Sequence, residues 1–300
     1  MKMHAAWLSA VLVACGGGGD ADPAVAGNNG LLTPPPTSAG GGASALPAGM
    51  RLVWSDEFET PGLPDAGKWA HDTERNRQGW YNNELQYYAD RRPENARVEN
   101  GKLVITARQE RLSSAPDFGG QNYTSARLIT RGRASWTYGH YEVRAKLPCG
   151  LGTWPAIWML GTGGQWPDDG EIDIVEQRGT AALDKQQVLG TLHTRAYNWR
   201  GGTLGVARGA STSLPNACTE FNNYQMTWDT DGISIGVNGT NYFDFRNPKN
   251  GDRAQWPFDA PQFMILNLAV GGDLGGAVDN NALPAVMEIE YVRVYQRLNI

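Results

Sequence analysis

The chain of 300 residues carries only three cysteines and four histidines. No C-x-x-C pair exists, and His4, His71, His140 and His193 never fall at the spacing of a local metal site. The G-x-S-x-G elbow, the G-x-x-x-x-G-K-[ST] phosphate loop and the H-E-x-x-H zinc helix are all missing, which sets aside serine-triad, P-loop and zinc-protease chemistry. Positive charge is in short supply: 26 Lys+Arg against 31 Asp+Glu leave −5, so no global field draws the chain to nucleic acid or anionic lipid. Charged residues reach 19% and hydrophobic ones 41%, the balance of a folded body rather than a disordered chain. Long helical periodicity is absent. The apolar run Ala5 to Ala14 is too short to cross a bilayer.

What the sequence has in plenty is tryptophan, 11 residues, and glycine, 38. Aromatic surfaces held by many tight turns suit sugars better than phosphates. Residues 1–14 read as an export signal ending Leu12-Val13-Ala14 before Cys15. That junction resembles a bacterial lipobox, which makes Cys15 the lipidated mature terminus and the chain's one membrane contact, with Gly16 compatible with sorting to the outer membrane. Residues 15–50 are rich in Gly, Pro and Ala and nearly without charge, the composition of a flexible tether.

From residue 51 to 300 the pattern is that of one all-β domain. Period-2 runs recur between turn residues: RLVWSDEF, ARVENGKLVITARQ, SARLITRG, GHYEVRAKL, EIDIVEQ, YQMTWDTDGISIGVNG, QFMILNLAVGG and MEIEYVRVYQ. Such spacing predicts a two-sheet jelly-roll sandwich, one face of each strand filling the core and the other free for binding. In an exported protein Cys149 and Cys218 are more often a disulfide than part of a metal site.

Chemistry concentrates in Glu171-Ile172-Asp173-Ile174-Val175-Glu176. Alternation puts Glu171 and Asp173 on one face, whereas Glu176, five positions from Glu171, falls on the other. One bulge between Asp173 and Glu176 returns all three carboxylates to a shared face. Around this strand lie Trp154, Trp158 and Trp166, whose rings can stack on the C–H faces of pyranose sugars, and His193.

These features together resemble glycoside hydrolase family 16, and within it the laminarinase-like endo-1,3-β-glucanases. The likeness rests on E-I-D-I-V-E, on YTSARLITRGRASWTYGHYEVRAKLP from Tyr123 to Pro148, and on GTWPAIWML, NNELQYY, GTLH, WPFD and ILNLAVGG. It implies a concanavalin A-like jelly roll with an open cleft, and hydrolysis of β-1,3 or mixed β-1,3-1,4 glucan by double displacement. In that scheme Glu171 is the nucleophile, Glu176 the acid/base and Asp173 the helper between them, without need of a cofactor. Retaining hydrolysis asks for two carboxyls roughly 5 to 5.5 Å apart, and mutual repulsion should leave a proton on Glu176.

The resemblance further implies that His193 bonds Glu176 or a sugar hydroxyl, and that Asn83 and Arg127 contact substrate near the non-reducing side. It also implies a structural calcium held by backbone carbonyls at Glu57 and Gly101 and by the carboxylate of Glu290, where the family places an Asp. Two further readings stay open: a glucan-binding module without activity, and a hydrolase or transglycosylase acting on another polysaccharide such as agar or carrageenan. The expected state is a monomer exported and lipid-anchored at the outer membrane or cell surface, with a β-glucan as its partner.

Overall fold

The computed structural model describes residues 46, 48–180, 182 and 186–297. The expected signal peptide, the lipidation site Cys15 and nearly all of the 15–50 tether lie outside them.

Among the described residues seventeen strands follow in chain order, beginning with β1 (Met50–Asp56), β2 (Ala70–His71), β3 (Gln86–Tyr88), β4 (Ala96–Glu99), β5 (Lys102–Gln109) and β6 (Tyr123–Ser125). Next come β7 (Arg127–Ile129), β8 (Gly139–Lys146), β9 (Thr153–Gly161), β10 (Glu171–Gln177), β11 (Gln187–His193) and β12 (Arg208–Ser213). The set closes with β13 (Asn222–Trp228), β14 (Gly232–Val237), β15 (Thr240–Arg246), β16 (Gln262–Val270) and β17 (Ala285–Arg297). One helical turn, α1 (Gly272–Gly275), follows β16.

They form two sheets. The larger runs β15-β14-β13-β8-β17-β5-β6-β3 with β1 and β4 alongside, and the smaller runs β12-β11-β10-β9-β16-β7-β2. The sandwich of the sequence reading is therefore present. Its core is made by alternation: Leu103, Ile105, Tyr141, Val143, Tyr224 and Met226 from one sheet meet Ile157, Met159, Ile172, Leu192, Met264 and Leu266 from the other. Side chains of this kind interdigitate between sheets about 10 Å apart. Asn100-Gly101 links β4 to β5 with both residues at positive φ, 51° and 69°, the backbone that a two-residue hairpin demands and that Asn-Gly supplies at low cost.

The other face of the smaller sheet carries the site. Along β9, Trp154, Ala156, Trp158 and Leu160 point away from the core into a cleft, while Ile157 and Met159 point inward. On β16, Phe263 and Asn267 do the same, while Met264 and Leu266 point into the core.

Cys149 and Cys218 are joined in a disulfide, Cα atoms 5.4 Å apart, pinning the β8–β9 connection to the segment before β13. The expected calcium set fares differently. Glu290 accepts Arg144 Nε at 2.6 Å, and the Glu57 side chain forms a two-bond pair with Arg293 at 2.8 and 2.9 Å. The single carboxylate that was to neutralise the ion is thus already paired with a guanidinium. Glu57 and Gly101 would offer the ion backbone carbonyl oxygen, which suits calcium; of the expected set Glu57, Gly101 and Glu290 it is the Glu290 carboxylate, engaged by Arg144, that fits the ion poorly.

Candidate active site

Gly170 opens the strand that carries the carboxylates. It sits at φ 78°, and a Cβ there would lie 2.6 Å from the Phe258 ring, so only glycine turns the chain this tightly against the β15–β16 connection. The strand then pairs regularly with β9 and β11 as far as Asp173. After it the register shifts, between Asp173 and Val175 on the β9 side and between Asp173 and Glu176 on the β11 side. Ile172, Ile174 and Val175 are all fully buried in the core, and Glu171, Asp173 and Glu176 all line the cleft. The bulge resolves the five-residue spacing in the way alternation alone cannot.

The cleft encloses about 520 Å³. Both glutamates of β10 receive an indole N–H: Trp166 Nε1 donates to Glu171 Oε2 at 2.6 Å, and Trp154 Nε1 donates to Glu176 Oε1 at 3.0 Å. Burial, with the nearby charges of Asp173 and Glu171, pushes the Glu176 carboxyl up to about 8, against the opposing pull of the Trp154 hydrogen bond. Asp173, 2% exposed, is held well above the usual carboxylate range by burial, by the charge of Glu171 and by a hydrogen bond to it. At neutral pH Glu176 thus keeps its proton, and Asp173 holds its own more tightly than a free carboxyl does.

His193 reaches in from β11, directly opposite Glu171 in the ladder. Its Nε2 lies 3.4 Å from Asp173 Oδ2 and 3.9 Å from Glu171 Oε1, which makes Asp173 the nearest carboxylate, while the expectation named Glu176 or a sugar hydroxyl. Glu171, Asp173 and His193 present donor atoms all within 4.8 Å of one another, a set that could hold a metal ion. The indole and carboxyl hydrogen bonds converging on Glu171 instead fit a carboxylate kept ready to react.

The expected sugar contacts divide. Trp158 lines the cleft, but its N–H is bound to Asn267 Oδ1 at 2.6 Å and one face is covered by the Arg127 guanidinium at 4.7 Å. Trp154 is only 8% exposed, too covered to be an open stacking platform. Arg127 is buried between Trp80 and Trp158 and pairs with Asp72 at 2.9 Å. The Asn83 amide binds Asp273 of α1 at 2.7 Å, tying two loops together, while the neighbouring Asn82 lines the cleft.

Several cleft residues were not singled out in advance. Glu84 bonds Gln86 and Tyr88 at 2.7 and 3.3 Å, and burial raises its carboxyl despite the Arg127 charge. Trp80, Trp199, Arg200 and Asn267 also line the wall. Glu84 and Trp80 fall in or beside the quoted NNELQYY block, whereas Trp199 and Arg200 sit in a loop without periodicity.

A carboxylate pair on a bulged strand, flanked by tryptophans on the open face of a jelly roll, defines a glycoside hydrolase. The chain belongs to the glycosyl hydrolases family 16, whose pattern it matches over residues 83–293. It is 48% identical over 256 residues to the beta-glucanase of Rhodothermus marinus, covering 82% of this chain and 85% of that one. Among solved structures, SCLam, a non-specific endo-β-1,3(4)-glucanase of the family, superimposes with a TM-score of 0.79 at 52% identity over 85% of this chain and 94% of the other. The laminarinase from Rhodothermus marinus gives 0.76 at 47% identity over 83% and 98%. The chain is an endo-1,3-β-glucanase-type hydrolase.

Proposed function

We propose that this hydrolase cuts internal β-1,3 bonds, and mixed β-1,3-1,4 chains, by double displacement with retention of configuration. Glu176 gives its proton to the glycosidic oxygen as the C1–O bond breaks, and the Glu171 carboxylate closes on C1 to form a glycosyl ester. Glu176, now ionised, takes a proton from water; that water attacks C1 and frees Glu171. Asp173 keeps its proton and donates to Glu171, and with Trp166 it spreads the nucleophile's negative charge over two donors.

The observation that carries this reading is the asymmetry between the glutamates. They share one cleft face, yet Glu176 is pushed up to about 8 while Glu171 accepts hydrogen bonds suited to an anion. One acid and one nucleophile is the division the reaction requires. Mixed linkages are included because the 52% identical relative is described as non-specific for β-1,3(4)-glucan. The intact Glu171, Asp173 and Glu176 weigh against a pure binding module.

We further place the domain outside the cytoplasm as a monomer, tethered through a lipid on Cys15 by the Gly/Pro-rich segment. The Cys149–Cys218 disulfide is in keeping with an oxidising compartment. Incubation of the purified protein with laminarin, lichenan and agarose, with products sized over time, tests the activity. Early release of mixed short oligosaccharides from laminarin, lost in Glu171→Gln, is expected; laminarin bound but uncut would overturn it.

A further inference from the structure

Beyond the catalytic strand, the loop after β11 carries a feature that the proposed chemistry leaves unused. Trp199 lines the same cleft as Glu171 and is 50% exposed, an unusual place for a large aromatic side chain. Its ring centroid lies 6.4 Å from that of Trp166 at 44°. The Arg200 guanidinium sits against both rings, 5.2 Å from the Trp166 centroid and 4.8 Å from that of Trp199. Among the described residues no carboxylate pairs with Arg200, and the Trp199 indole N–H has no hydrogen-bond partner.

The loop is nonetheless held in place. Asn198, nearly fully buried, donates to Thr194 O at 3.0 Å and accepts the Arg200 N–H at 3.1 Å, while Leu204 N–H bonds Ala196 O at 2.8 Å. An Arg195–Asp168 ion pair ties the loop to the segment carrying Trp166. An exposed ring fixed before any ligand arrives loses little conformational freedom on binding.

We propose that Trp199 and Arg200 form a glucosyl-binding subsite on the β11 side of the cleft, one that sets how long a glucan the enzyme engages. The proposal rests on the glucanase reading above. A pyranose offers an apolar C–H face and a rim of hydroxyls; Trp199 supplies a flat ring for the first and Arg200 a fan of N–H donors for the second. Because Trp166 both packs on Arg200 and donates to Glu171, a sugar here lies one ring away from the nucleophile's own hydrogen bond.

The test is kcat/KM on β-1,3-gluco-oligosaccharides of increasing length for wild type, Trp199→Ala, Trp199→Phe and Arg200→Gln. The expected loss in Trp199→Ala grows with chain length to about tenfold on the longest, Trp199→Phe recovers most of it, and the favoured cleavage position shifts. Loss of equal size at every length, or none at any length, overturns the subsite and leaves the glucanase reading standing. A wild type inert on laminarin sinks the glucanase reading itself, and shows before any variant is compared. Should Trp199→Ala fail to fold, Trp199→Phe and Arg200→Gln carry the comparison.

Discussion

The indole N–H of Trp166 lies 2.6 Å from Glu171 Oε2, and that of Trp154 mirrors it on Glu176 at 3.0 Å. Two tryptophans expected to stack on sugar thus act first as donors to the carboxylates. A hydrogen bond to an ionised group is worth roughly 1.5–3 kcal/mol. Trp166→Phe, which keeps an apolar ring and removes the donor, should lower kcat on laminarin by about 10- to 100-fold, measured by reducing-sugar release; an unchanged kcat contradicts the assignment.

The raised carboxyl of Glu176 predicts the alkaline limb of activity. General acid catalysis needs its proton, which is lost as pH rises through about 8. The kcat/KM of the free enzyme should therefore fall with an apparent midpoint near that value. In Glu176→Gln the loss should be severe on glucan and much smaller on an aryl β-glucoside whose leaving group needs no protonation; equal losses on both substrates count against the role.

The same shift has a consequence for stability. A carboxyl that holds its proton more tightly folded than unfolded favours the native state at low pH, and this contribution is lost as pH climbs from the ordinary Glu range toward the folded value of about 8. Glu176→Gln removes the dependence. Its melting temperature should match wild type near pH 4 and exceed it at pH 8, by about 2–4 °C for each kcal/mol recovered. A variant that is less stable at pH 8 refutes the buried, protonated Glu176.

The disulfide spans 69 positions, and loop entropy puts its contribution at about 4 kcal/mol. Cys149→Ala with Cys218→Ala should lower the melting temperature by roughly 8–16 °C. Labelling of free thiols in the unreduced, denatured chain is the companion check, with no reactive thiol expected from this pair.

Because Glu290 is paired with Arg144, chelation should leave the melting temperature unchanged. A drop on adding chelator, reversed by calcium, would restore the ion that the side-chain pairing argues against.

Much of this was legible beforehand. The quoted runs name β1, β4, β5, β7, β8, β10, β13, β14, β16 and β17, by alternation where one face is buried, as in the first half of β17, and by a continuous apolar run in β16, whose nine residues are all buried. The bulge in β10 was legible too, since three carboxylates at 171, 173 and 176 share a face only if one residue is extra. β2, β3 and β6, at two or three residues each, are too short to show a period, and β12 and β15 lie at sheet edges with exposed, mixed patterns. Side-chain partners were harder still. Nothing in the chain order says that Asn83 turns to Asp273, 190 positions away, or that Arg144 takes Glu290. Trp199 carried no signal beyond being a tryptophan in a loop.

Retention of configuration is the most direct test of the central claim that Glu171 forms a glycosyl ester which Glu176 then helps water to resolve. Proton NMR of the first products from laminari-oligosaccharide, recorded before mutarotation, reads the new anomeric centre. The account predicts β-configured product with the α form growing in later; α product at the first time point would contradict it.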